Sequence, residues 1–255
     1  MRLALVQPSR WHRDGHANLA AAHEAIGRQG PGGDPLVVVL PELIGGDLAD
    51  ADYVAHLRQI AVSAEAWVVG GSHHRRTGRS ISNCGAVVDP HGEVVARYAK
   101  ATPFGSERTD GVEPGPPGVT VRIAGCHVAV LICADAWFAE HLLALEPSPD
   151  LVIVTSFSVT RRDPAAARRL WHHLAVSRAY EFGAYVAVAD WRAGARYRGV
   201  RAAGASGLAE PEPHRLGDHF SSAGDADVWV RDLDLARLRE HRRDRAALGL
   251  FRGVL

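Results

Sequence analysis

The chain has 255 residues, 47% hydrophobic and 23% charged, an ordinary globular composition that suits one large domain spanning 1–255. Its 29 basic and 29 acidic side chains cancel to a formal net charge of zero, which points away from a nucleic-acid or anionic-membrane partner. No apolar run approaches the roughly 20 residues of a membrane span, and three cysteines at this size make no disulfide scaffold, so a cytoplasmic protein with free thiols is expected.

The opening "MRLALVQPSRW" has too short an apolar core for a signal peptide and reads as a strand over 2–7. An Ala-rich helix follows over 17–29, a loop "RQGPGGDP" over 28–35, and a strand "PLVVVLPE" over 35–42. In 51–65, Tyr53, Leu57, Ile60, Ala61 and Ala64 fall on one helical face. "AWVVGGSHH" (66–74) reads as a strand. "VVDPHGEVV" (87–95) reads as a hairpin, with Pro90 and Gly92 in its turn, joining strands "CGAVVDP" (84–90) and "GEVVARYAK" (92–100). After a loop over 111–118 come strands over 119–125, 127–135 and 151–156. A helix spans 164–182, carrying Ala167, Leu170, Trp171, Leu174 and Arg178 on one face behind an early Pro164. A strand over 184–191 and a helix over 232–245, acidic at its start and basic at its end, complete the series. Short β-branched runs alternating with helices, plus a hairpin, predict a mixed α/β fold.

Several familiar signatures are absent. "GPGG" at 30–33 precedes a strand instead of following one, so it is no dinucleotide fingerprint. The only lysine, Lys100, is followed by alanine, which excludes a P-loop, and neither Ser72 nor Ser206 sits in a G-x-S-x-G elbow. His12 with His16, and the pairs His73–His74 and His172–His173, lack an accompanying H-E-x-x-H or C-x-x-C and read as surface histidines. No metal site or cofactor is expected.

The informative positions are three strand ends. "LVVVLPE" delivers Glu42, "VVARYAK" delivers Lys100 and "VAVLICAD" delivers Cys133. Sites in open α/β sheets form at the carboxyl ends of strands. All other 28 basic residues counted with Lys100 are arginines, and lysine supplies a compact point charge where arginine supplies a wide fork. A carboxylate, an ammonium and a thiol together provide base, cation and nucleophile. A neighbouring ammonium lowers a thiol's pKa, and backbone N–H groups stabilise the oxyanion formed when sulfur attacks a carbonyl or nitrile carbon. The N–H of Ala134, next after the thiol, is a natural donor. Cys84 and Cys126 read as structural.

Three segments, "VVVLPEL", "ARYAK…PFGSE" and "VAVLICAD..F.E", resemble the signature segments of the nitrilase, or carbon–nitrogen hydrolase, superfamily. The likeness extends to the opening strand, the hairpin, the helix "LAVSRAYEFGAYVAVAD" and the closing "VWVRDLDLARLREHR". It implies a four-layer αββα sandwich, usually dimerised as a homodimer or larger homo-oligomer, with catalytic Glu42, Lys100 and Cys133. A supporting glutamate is implied too, best matched by Glu107 and less well by Glu113. Trp137, Phe138 and Glu140, after the thiol, are expected beside Ala134 in the substrate pocket. The implied reaction cleaves a non-peptide C–N bond of a small-molecule amide or N-carbamoyl compound through a thioester. The chain departs from the family pattern where Ala134, Ala136 and Trp137 follow the cysteine, in "YEF" at 180–182, and after "LVIVTS". These departures bear on specificity. Two other readings compete: a Schiff-base enzyme on Lys100, and a non-catalytic relative that binds or regulates.

Overall fold

A computed structural model describes residues 1–29, 36–161, 163–212 and 219–251. The expected loop over 28–35 therefore lies mostly outside the described residues, as does the first residue of the strand expected over 35–42. In chain order the strands are β1 Arg2–Val6, β2 Leu36–Val39, β3 Trp67–Val69, β4 His73–Thr77, β5 Ser80–Val88, β6 Val94–Ala99, β7 Val119–Ile123 and β8 Cys126–Ile132. They continue as β9 Leu151–Thr155, β10 Val159–Thr160, β11 Tyr185–Ala189, β12 Arg196–Tyr197, β13 Val200–Ala202, β14 Gly207–Ala209, β15 Phe220–Ser222 and β16 Val228–Asp232. The α-helices are α1 Gly15–Gly27, α2 Asp50–Ser63, α3 Ser106–Thr109, α4 Ala139–Leu143, α5 Pro164–Phe182 and α6 Leu235–Ala247.

Two sheets stack face to face. One has the order β16-β1-β2-β3-β5-β4, with β6 also on β5, and β1, β2 and β3 run parallel. The other has the order β15-β14-β11-β9-β8-β7, with β8, β9 and β11 parallel. The strand period of two assigns the layers. Leu3, Leu5, Val37, Val39 and Val69 point inward and join Val128, Val130, Leu151 and Ile153 in one core. Their neighbours Ala4, Val6, Val38 and Val68 point outward and pack under Leu19, Ile26, Leu57 and Ile60 of α1 and α2. On the far side, Trp171, Ala175 and Ala179 of α5 close the core over the second sheet. This is the αββα sandwich.

Most expected elements appear, with instructive differences. The run at 66–74 is broken at Gly70–Gly71, so that β4 leaves the β3 line and forms a hairpin with β5. Gly71 has φ +68°, and a Cβ there would lie 2.1 Å from the carbonyl oxygen of Pro41. The glycine thus lets the chain pass against the turn that carries Glu42. Gly71→Ala is expected to destabilise by about 2–4 kcal/mol through left-handed strain and backbone overlap, read as a Tm drop of roughly 5–10 °C in a thermal melt.

On α5 the buried stripe is Trp171, Ala175 and Ala179, while Leu170 is exposed, because the sheet lies one residue further round the helix than the sequence pattern placed it. The final helix begins at Leu235, not 232: Val228–Asp232 pairs with β1, and the Asp234 side chain caps the helix by accepting from the Arg237 N–H at 2.9 Å. Strands β10 and β12–β15 have two or three residues each, too short to carry a periodic signal. Among the described residues no helix is long and apolar enough to cross a membrane.

Candidate active site

Because β8, β9 and β11 run parallel, their carboxyl ends emerge at one edge of their sheet, where they meet the turn after β2. Glu42 lies in that turn, Lys100 directly follows β6, and Cys133 directly follows β8. The structure brings them together with Glu107 of α3, and all four are buried, between 3% and 8% exposed. Lys100 Nζ donates to Glu42 Oε1 at 2.7 Å and to Glu107 Oε2 at 2.6 Å. Glu113, the weaker match for a supporting glutamate, is exposed and accepts from Ser80 Oγ, away from this cluster.

Each member is held by neighbours distant in the chain. Asn83 Nδ2 bridges the carboxylates, donating to Glu42 Oε1 at 2.9 Å and Glu107 Oε1 at 2.6 Å. The Phe157 N–H, just past β9, donates to Glu42 Oε2 at 2.9 Å, and Trp191 Nε1, just past β11, donates to the Glu42 carbonyl at 2.7 Å. The Phe104 N–H donates to Glu107 Oε2 at 2.9 Å. Beneath, the Asp190 carboxylate accepts from the Ser158 N–H and hydroxyl, the Trp191 N–H and the Ala205 N–H, which clamps the loop after β9 to the end of β11.

The Cys133 backbone has φ +47°, a left-handed conformation unusual for a residue with a Cβ. It opens a short 3-10 turn, Cys133–Trp137. Asp135 over-determines that bend: its carboxylate accepts from the N–H groups of Thr102 at 2.8 Å, Ala101 at 3.2 Å and Ile132 at 3.3 Å. One side chain therefore ties the cysteine turn to the segment that follows Lys100. The Cys133 Sγ lies 3.6 Å from Ser156 Oγ, its hydrogen-bonding neighbour. Ala134 is buried in the first turn of the 3-10 segment, where leading N–H groups have no intrahelical acceptor.

Burial raises the Cys133 pKa, the Glu42 carboxylate adds to that, and Lys100 opposes without prevailing. The thiol is therefore held protonated at rest, where the sequence suggested an ammonium-lowered thiol. Glu42 is itself pushed above the usual carboxylate range, mainly by burial, with Lys100 opposing and Glu107 adding. A carboxylate so raised is a better match for accepting a thiol proton. Glu107 goes the other way. Burial works against its charge, but His74, Lys100 and the Phe104 N–H hold it down at about 2. Lys100 is driven upward: burial would lower it, but Glu42, Cys133 and Glu107 outweigh that. An ammonium locked between two carboxylates is a poor amine nucleophile, which disfavours Schiff-base chemistry at Lys100.

Three of the residues expected at the pocket lie at the surface. Trp137 is 43% exposed and packs edge-on against Trp171 beside α5, its ring centroid 5.8 Å away. Phe138 is also exposed and meets His141, and Glu140 is exposed at the start of α4. The wall beside the cluster is aromatic and comes from later in the chain. Phe157 stacks on Trp191 at 5.0 Å and lies 5.5 Å from Tyr197, which meets Trp11 edge-on at 4.9 Å. Of the four arginines in 190–201, Arg192 pairs with Asp227 and Arg198 with Asp110. The pair His73–His74, read as surface, is buried, and strand alternation sends the two rings to opposite faces. His73 stacks on Tyr53 of α2, while His74 approaches Glu107.

Solved structures similar to this chain share the fold. The NitN amidase of Nesterenkonia sp. AN1 is 25% identical, with a TM-score of 0.74 over 98% of this chain and 99% of that one. Saccharomyces cerevisiae Nit3, a member of branch 10 of the nitrilase superfamily, is 23% identical, with a TM-score of 0.81 over 96% and 93%. A CN-hydrolase superfamily protein of Xanthomonas campestris, with an arsenic adduct in its active site, is 22% identical, with a TM-score of 0.80 over 100% and 98%. None of the curated proteins matches this chain at a significant level. The sequence model of the carbon-nitrogen hydrolase family matches residues 2–243, and with that span the chain belongs to this family.

Proposed function

We propose that this carbon–nitrogen hydrolase cleaves the amide or N-carbamoyl C–N bond of a small molecule, with Cys133 as nucleophile. The observation that carries the reading is the buried Glu42–Lys100–Glu107 cluster with the strained Cys133 turn beside it. As Sγ attacks the carbonyl carbon, the thiol proton passes to Glu42. The carbonyl π pair moves to oxygen, and Lys100 Nζ and the Ala134 N–H stabilise that oxyanion. When the tetrahedral species collapses, the C–N bond breaks and the leaving nitrogen takes the proton from Glu42. Ammonia or an amine departs and a thioester stays on Cys133. Water then attacks the thioester with Glu42 again as base, releasing the acid and restoring the thiol. Glu107 fixes Lys100 throughout. The similarity to a protein described as an amidase favours amides as the first substrates to try.

The test pairs ammonia release from a panel of aliphatic amides and N-carbamoyl amino acids with intact-mass detection of an acyl adduct on Cys133 after acid quench. Release together with an adduct mapped to Cys133 is the expected result. No release from any compound, and a Cys133 no more reactive toward iodoacetamide than Cys84 and Cys126 at pH 8.5, would overturn it and favour a binding or regulatory protein. Because burial holds the thiol protonated, alkylation of Cys133 is expected to accelerate as pH rises.

A further inference from the structure

Beside this cluster, on β4, lies His74. In the β4–β5 ladder His74 lies directly opposite Asn83. On the other side of β5, the Lys100 N–H donates to the Asn83 carbonyl at 2.8 Å, extending the β5–β6 register. Residues directly opposite in antiparallel strands share a face. His74, Asn83 and Lys100 therefore form one row across three strands, and all three reach the Glu42–Glu107 pair. His74 Nε2 lies 3.6 Å from Glu107 Oε1, and its Nδ1 lies 3.6 Å from Asp47 Oδ1. These are ion-contact distances, too long for hydrogen bonds. Nε2 is buried without a hydrogen-bond partner, and the side chain is only 9% exposed.

We propose that His74 is a positioning residue, whose ring between Asp47 and Glu107 holds the Glu107 carboxylate in place against Lys100. The inference rests on the thiol-hydrolase reading. Two buried carboxylates share one ammonium in this cluster, with the Asn83 amide and the Phe104 N–H as the other donors to Glu107, and a ring N–H beside Glu107 adds a further partner for its buried charge. The groups facing His74 are Asp47 from the segment before α2, backed by Arg13 at 2.8 Å, and Glu107 of α3, with Lys100 and Glu42 beyond it. On its own strand Arg75 follows it, and its N–H donates to the Gly46 carbonyl at 2.8 Å. A role limited to packing would be served by that backbone bond and by Asp47. It would not require a free ring nitrogen aimed at Glu107.

His74→Ala and His74→Gln in the full chain test the proposal, with melting temperature, the pH profile of kcat/KM, and the pH dependence of Cys133 alkylation as readouts. His74→Ala is expected to lower kcat about 10-fold with KM within about twofold, as a misplaced catalytic partner does. Without His74 the Glu42–Glu107 pair protonates more readily, so the acid limb of kcat/KM moves to higher pH. The midpoint of Cys133 alkylation also moves, because the Glu42 carboxylate that raises the thiol faces Glu107. His74→Gln, whose amide N–H reaches Glu107, is expected to recover part of each effect. Unchanged pH curves and kcat in folded His74→Ala, or a glutamine variant no better than alanine, would overturn the proposal. If His74→Ala does not fold, a wild-type profile in His74→Gln sustains the donor role and a loss as deep as tenfold refutes it. Alkylation needs no substrate, so it judges His74 even if no amide or carbamoyl compound proves to be hydrolysed.

Discussion

Cys133→Ala is expected to abolish amide turnover, lowering kcat by about 10⁴-fold or more, the scale on which loss of a nucleophile acts. Cys84→Ala and Cys126→Ala are expected to retain it within about threefold, since neither thiol touches the cluster. The contrast follows from where the three buried cysteines lie. Cys84 points to the helix-covered face of its sheet, with Sγ 3.6 Å from His73 Nε2. Cys126 opens β8 at the end opposite Cys133, where burial and Asp150 push its thiol up to about 12. Only Cys133 has a raised carboxylate base, an ammonium and a left-handed backbone that presents its sulfur beyond the strand. Steady-state ammonia release by the three variants checks this. Full turnover in Cys133→Ala, or its loss in Cys84→Ala with an intact fold, would sink the nucleophile assignment.

Lys100→Met is expected to fail twice, in turnover and in stability. It leaves Glu42 and Glu107 buried, facing one another without their shared cation. Removing one partner of a buried ion pair costs about 3–5 kcal/mol, or roughly 10 °C in Tm for a chain this long. The pH dependence separates this from a packing defect. In the wild type Glu107 sits at about 2, below its unfolded value, so its contribution to stability is present at neutral pH and is lost as pH falls toward 2. In Lys100→Met both carboxyls are raised above their unfolded values. The folded state then binds protons more tightly than the unfolded state, and stability falls as pH rises from about 4 toward 8. Thermal melts at pH 5 and pH 8 are expected to show the variant closer to wild type at pH 5. An equal deficit at both would refute the charge argument. Lys100→Arg is not expected to rescue turnover, because the guanidinium fork cannot fill a site where one nitrogen serves two carboxylates at 2.6–2.7 Å.

Much of the fold was legible because parallel strands buried on both faces must be apolar throughout. "LVVV", "HVAVLI", "LVIVT" and "YVAVA" show this, and each is a strand in the structure. The gap at 70–71 was misread as strand because apolar composition does not report a backbone turn; only the approach of Pro41 makes a glycine obligatory there. Strands of two or three residues, such as β10 and β12, exist because they pair with β13, not because of their own sequence.

The sequence by itself determined the chemical groups at the strand ends, Glu42, Lys100 and Cys133. A lone lysine among arginines and a thiol closing an apolar run are local facts, visible without coordinates. The tertiary structure alone decided how those groups are tuned and supported. Asn83 spans two carboxylates from 41 and 24 residues away, and the Phe157 N–H reaches Glu42 across 115. Asp135 pins the cysteine turn to residues 101 and 102, and strand alternation turns His74 toward Glu107 while His73 faces a helix. Hydrogen bonds, burial and mutual charge depend on distances in space, and chain separation does not encode them. The sequence therefore names the groups that cluster, and the packed fold sets which of them holds the proton.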